Sequence, residues 1–168
     1  MFNVGDKIVY PMHGAGVIES IEEKEILGQR QKYYIMKMPV GDIKVMIPTI
    51  NAKDIGIREV IDRDEADQVL GSLENGFSFM NTNWNKRYRE NMEKIKSGNI
   101  FEVADVVKNL AHRDKEKGLS TGERKMLNNA RQILISELVL ANEMPQNEVE
   151  QVINDKLNSI FELISENN

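Results

Sequence analysis

The stretch Asn81-Thr-Asn-Trp-Asn-Lys-Arg-Tyr-Arg89 holds the only tryptophan of the chain, Trp84, with Lys86, Arg87 and Arg89 close behind it. An aromatic plate beside several cations at the start of a helix can grip phosphates and wedge against stacked bases. A second reading stays open. Trp84, Tyr88, Met92 and Ile95 recur at helical spacing, so the indole could instead open a buried stripe. Lys86, Arg87 and Arg89 are expected on the side of the helix away from Met92 and Ile95, facing solvent. Lys94 and Lys96 extend this basic side, while Glu90 and Glu93 dilute it. Asn81, Asn83 and Asn85 can cap the helix or donate to a phosphate or base edge, and capping is the commoner use.

Catalytic chemistry is poorly represented. The two histidines, His13 and His112, lie in different halves, and neither sits in an HExxH or comparable ligand spacing. Gly-flanked His13 reads as a turn residue, and His112, in a charged helix end, as a surface one. Gly14 and Gly16 do not belong to a GxxxxGK[ST] phosphate loop. The run His112-Arg-Asp-Lys-Glu-Lys117 alternates in sign, which suits an exposed helix end. With no cysteine, disulfides and thiolate metal sites are excluded. The expectation is a binding protein with no catalytic residues, no metal and no cofactor.

At 168 residues the chain can form one medium domain or two small ones, and 40% apolar with 29% charged residues fits a globular class. The net charge of −5 is unevenly spread. Residues 81–136 carry twelve Lys and Arg against seven Asp and Glu, whereas 137–168 carry one against seven. A local basic footprint between acidic flanks follows, and with it a weak affinity for free DNA. The start, Met1-Phe-Asn-Val-Gly-Asp6, lacks the pattern of a signal peptide. No apolar run approaches the roughly 20 residues that span a bilayer. A cytosolic protein without a membrane partner is expected.

These residues need elements to position them. The first sixty residues read as five short strands: Lys7–Tyr10, Val17–Ile21 running toward Ile26, Lys32–Met38, Ile43–Ile47 and Ile55–Glu59. Pro11-Met-His-Gly-Ala-Gly16, Leu27-Gly-Gln-Arg30 and Pro39-Val-Gly-Asp42 supply the turns between them. A small five-stranded barrel of the Tudor or SH3 type is expected over 1–60. From Asp62 the period changes to that of helices. Asn99 with Glu102 is a capping-box-like arrangement, and Ser120 with Glu123 is a capping box. Pro145 fits the first turn of a last helix. The fold class is therefore α+β, the barrel followed by a compact bundle of about five α-helices over 61–168.

Four segments resemble the CarD/CdnL family of bacterial transcription regulators. They are Gly5-Asp-Lys-Ile-Val-Tyr-Pro-Met-His-Gly14, Gly41-Asp-Ile-Lys-Val-Met-Ile-Pro48, Asn83-Trp-Asn-Lys-Arg-Tyr88 and Gly118-Leu-Ser-Thr-Gly-Glu-Arg-Lys-Met-Leu127. The likeness runs in order from about Phe2 to Phe161. The N-terminal pattern by itself is also similar to the polymerase-interacting domain of transcription-repair coupling factors. The resemblance implies a Tudor-like domain that docks on the β subunit of RNA polymerase and a helical domain that contacts promoter DNA. It places Trp84 as a wedge in the minor groove at the upstream edge of the melted bubble, with Lys86, Arg87 and Arg89 at the DNA backbone. Basic residues that relatives use against the β subunit align with Lys24 and Met46, the second being a departure. Either Lys44 compensates, or the docking is more apolar here. A single copy acting on the polymerase, stabilising the open promoter complex, is the function implied. The alternative is a polymerase-binding factor that acts through the barrel, with Trp84 structural.

Overall fold

The computed structural model describes residues 1–166. Five strands form one antiparallel sheet: β1 (Lys7–Tyr10), β2 (Gly14–Ile26), β3 (Gln29–Lys37), β4 (Lys44–Pro48) and β5 (Arg58–Glu59). The order is β4-β3-β2-β1-β5, so β4 and β5 end the ladder without pairing to each other. Ile8, Ile18, Tyr34, Met36, Met38 and Ile47 join Ala52 and Ile57 in a closed apolar cluster separate from the helices. Ala52 and Ile57, with Phe2 packed beside them, lie outside the strands and cover the apolar face of the sheet. The register shifts by one residue between Ile18 and Ser20, a bulge that bends β2 in its middle.

The turn expected over 11–16 is shorter than the sequence suggested. β2 already begins at Gly14, which pairs with Tyr10. A left-handed φ of +115° explains the glycine, and so does the space around it: a Cβ there would lie 2.7 Å from Ser136 Oγ.

Five helices follow: α1 (Arg63–Ser72), α2 (Trp84–Lys96), α3 (Ile100–Lys117), α4 (Thr121–Asn142) and α5 (Gln146–Glu166). Asp62, Asn83, Asn99 and Ser120 cap the first four, each side chain accepting a backbone N–H of the first turn. Pro145 stands just before α5, where its carbonyl accepts from Glu148 and Val149. The helices share a second core built around Leu73, Ile95, Leu110, Leu134, Leu138 and Ile153. α4 runs through this core and also packs against β2, so it is the element common to both halves. No described helix is long and apolar enough to cross a membrane.

Candidate nucleic-acid interface

Trp84 is the first residue of α2, directly after its cap. Asn83 accepts from the Lys86 N–H at 3.1 Å, and Asn81 accepts from the Asn83 N–H at 2.9 Å. Two of the three asparagines are thereby spent on shaping the helix start. The indole is 42% exposed, so it does not open a buried stripe. It lies nearly parallel to Tyr88, with ring centres 5.1 Å apart and planes 19° apart. Its Nε1–H donates to Ser120 Oγ at 3.0 Å. A Cβ on Gly122 would sit 3.7 Å from the indole edge, so the ring rests over the first turn of α4.

Arg87 departs from expectation. It is 3% exposed, not solvent-facing, and forms a buried ion pair with Glu123 of α4. Nε and Nη2 donate to the carboxylate at 2.8 and 3.2 Å, and Nη1 donates to the carbonyls of Asn81 and Thr82, both at 3.2 Å. Positions four and eight apart share a helix face. Arg87, Asn91 and Ile95 are accordingly the buried residues of α2. The apolar stripe beginning at Trp84 is displaced to one side of that face, toward solvent. The available sign was this spacing from Arg87 to Ile95.

Glu123 shows how the capping box is used. Ser120 Oγ accepts from the Glu123 N–H at 3.2 Å, as the motif requires. The Glu123 carboxylate turns to Arg87 and to the Ser120 hydroxyl, which donates to Oε1 at 3.2 Å. Burial pushes this carboxyl up, but hydrogen bonding and charge from Arg87, with Ser120, outweigh burial and hold it below the ordinary value. Trp84, Ser120, Glu123 and Arg87 thus form one connected support. Ser120, Gly122 and Glu123 were missed as parts of the site because they lie some 36 residues from α2 and meet it only in three dimensions.

Lys86, Arg89 and Lys96 are exposed on α2. An open groove runs along this side, lined by Trp84, Tyr88 and Met92 together with Asn85, Arg89, Lys96 and one carboxylate, Glu93. An apolar floor with cationic edges can accept sugar rings and bases while holding phosphates. Lys94 is committed elsewhere, to Asp105 of α3 at 2.7 Å. His112 is also not the surface residue expected. It stacks on Phe77 at 4.0 Å between ring centres, with Phe161 beside it and Glu116 at 3.2 Å. His13 is an exposed turn residue against Tyr10. Among the described residues no cluster has the composition of a metal site.

In the β domain, strand pairing places Lys24, Lys44 and Met46 on one face of the sheet, the one turned away from the β core. Met46 pairs with Ile35 and Ile35 with Ser20; Lys24 follows four residues along β2, opposite Gln31. Met46 is exposed, two residues from Lys44 on β4. Lys44 contacts Glu19 at 2.9 Å, whose hydrogen bond and charge raise its pKa, and Lys24 contacts Glu22 at 3.6 Å. Lys24 is partly neutralised by Glu22 of its own strand and Lys44 by Glu19 of β2.

Two stretches of the chain match known families. Residues 2–61 match the family described as "CarD-like/TRCF RID domain", and residues 68–154 the family described as "CarD, C-terminal domain". The protein named "Putative transcription factor YdeB" of Bacillus subtilis (strain 168) is 47% identical over 138 residues. The match spans 82% of this chain and 90% of that protein.

Proposed function

The chain belongs to the CarD/CdnL-like family, which assigns it to transcription regulation with RNA polymerase interaction, and from this premise we propose that it acts as a two-point clamp on the promoter complex. The β domain docks on the polymerase β subunit through the face bearing Lys24, Lys44 and Met46. The helical domain presents Trp84 to the minor groove at the upstream edge of the bubble, with Lys86 and Arg89 at the phosphates. Arg87 leaves the set of DNA contacts and becomes the buried brace of the helix that carries them. One copy works per polymerase, in the cytoplasm, and no reaction is catalysed.

The observation that carries this reading is the half-exposed, braced indole at the rim of a groove edged by cations. A wedge held in place before binding loses little freedom on insertion, and insertion at an already distorted step meets a reduced unstacking cost. Because the indole N–H is engaged by Ser120 and the minor groove is degenerate, little sequence readout is expected. Met46 makes the docking more apolar than a paired arginine or lysine would. Footprinting of open complexes formed by purified polymerase tests the proposal. The protein should extend protection at the upstream bubble edge, and Lys24→Glu should weaken both that protection and capture of the β subunit. Protection elsewhere, or undiminished capture by Lys24→Glu, would move the contacts to other surfaces.

A further inference from the structure

The two ends of α4 serve different partners. Its start holds Trp84 and Arg87 through Ser120 and Glu123. Near its other end, Ile133, Ser136, Glu137 and Leu140 have the spacing of one helix face, and that face meets the β domain. Ser136 Oγ accepts from the Ala15 N–H at 2.9 Å, and the Leu140 carbonyl accepts from Lys7 Nζ at 3.1 Å. Glu137 is fully buried, and all its partners lie within residues 58–61. Arg58 donates to it through Nη1 and Nη2, each at 2.7 Å, and the Ile61 N–H donates at 3.0 Å. The same guanidinium sends its Nε–H to the Gly98 carbonyl at 2.9 Å, just past the end of α2 opposite Trp84. One side chain of β5 therefore holds both α4 and the link that leaves α2.

We infer that the Arg58–Glu137 pair is a positioning lock, fixing the distance and angle between the polymerase-docking face and Trp84, with α4 as the rigid spacer. The inference rests on the docking and wedge roles proposed above. A two-pronged guanidinium–carboxylate pair is angle-specific. A dry carboxylate that lost its partners would be strongly disfavoured, so the joint has one stable geometry. The leverage is large: α4 has 22 residues and a length of about 33 Å. About 26 Å of helix separates Glu137 from Ser120, so a tilt of about 5–10° at the lock would move the indole by roughly 2–4 Å, the scale of one base step.

The chain has no cysteine, so Lys37→Cys and Asn85→Cys together place one spin label on the β domain and one beside the wedge. In this background the inter-label distance distribution should be narrow. Glu137→Gln removes the charge but keeps the side-chain shape, and Arg58→Lys keeps the charge but loses the two-pronged geometry. Both should broaden the distribution in the labelled protein; in the unlabelled protein both should leave circular dichroism and β-subunit capture unchanged and shorten open-complex lifetime several-fold. A narrow distribution in both folded variants would overturn the lock. So would broadening that leaves the lifetime unchanged, provided Trp84→Ala shortens it. If Trp84→Ala leaves the lifetime unchanged while the distribution still broadens, the wedge reading fails and the lock stands as the joint between the two halves.

Discussion

The indole of Trp84 has one edge tied to Ser120, one face on Tyr88 and the rest in solvent, so it is held in place without being part of the core. Its neighbours were less legible. Lys86 and Arg89 are exposed as their positions suggested, but Arg87 is buried because a distant carboxylate, Glu123, waits inside for it. No local pattern announces a partner 36 residues away. The consequence is a brace that acid can release. Burial alone would raise the Glu123 carboxyl, and Arg87 overrides it; burial likewise opposes, and Lys94 and Ser78 with Lys108 override, at Asp105. Both carboxyls are therefore depressed on folding. Their contribution is complete above the unfolded values near about pH 4 and is lost as pH falls through the lower folded ones. Emission from Trp84, the sole tryptophan, should therefore change only below about pH 4. Glu123→Gln should bring the loosened state to neutral pH and destabilise the fold by about 3–5 kcal/mol, because Arg87 is left buried without its partner. A variant with native emission and an unchanged melting temperature would contradict the brace.

Among the elements, those written in local chemistry were readable. The Leu27-Gly28 hairpin, with Leu27 at φ +53° and Gly28 at +78°, joins β2 to β3 where its turn residues indicated. The Asn99 and Ser120 caps open α3 and α4 where expected. What local chemistry could not give is the second use of a cap. Ser120 both starts α4 and receives the indole N–H. Ser120→Ala should cost about 1 kcal/mol as a lost cap. It should also free the indole, seen as stronger acrylamide quenching and shorter-lived open complexes. Ser120→Thr, which retains a hydroxyl at the cap, should restore most of both. Stability loss with unaltered quenching would leave Ser120 as a cap and nothing more.

For the molecule as a whole, the sequence divided readily near residue 60, because strand period gives way to helix period there. The packing of the halves was hidden, since Ser136 and Glu137 interrupt an apolar helix pattern without showing what they face. The charge distribution bears on function at this scale. A chain of net charge −5 with Lys86, Arg89 and Lys96 exposed along α2 should bind free duplex weakly. Each phosphate contact adds roughly one unit to the salt slope, so a shallow slope of about two to three is expected. Tight, sequence-selective binding by the free protein at physiological salt would contradict a factor that depends on polymerase for its local concentration. The central claim is that the polymerase delivers Trp84 to the bubble edge. Open-complex decay with Trp84→Ala, measured beside β-subunit capture and thermal unfolding on the same preparation, tests it most directly. The half-exposed indole should cost less than the about 3–5 kcal/mol of a buried one in stability, capture should be unchanged, and the complex should decay markedly faster. Unchanged decay by the folded, polymerase-bound variant would contradict the account.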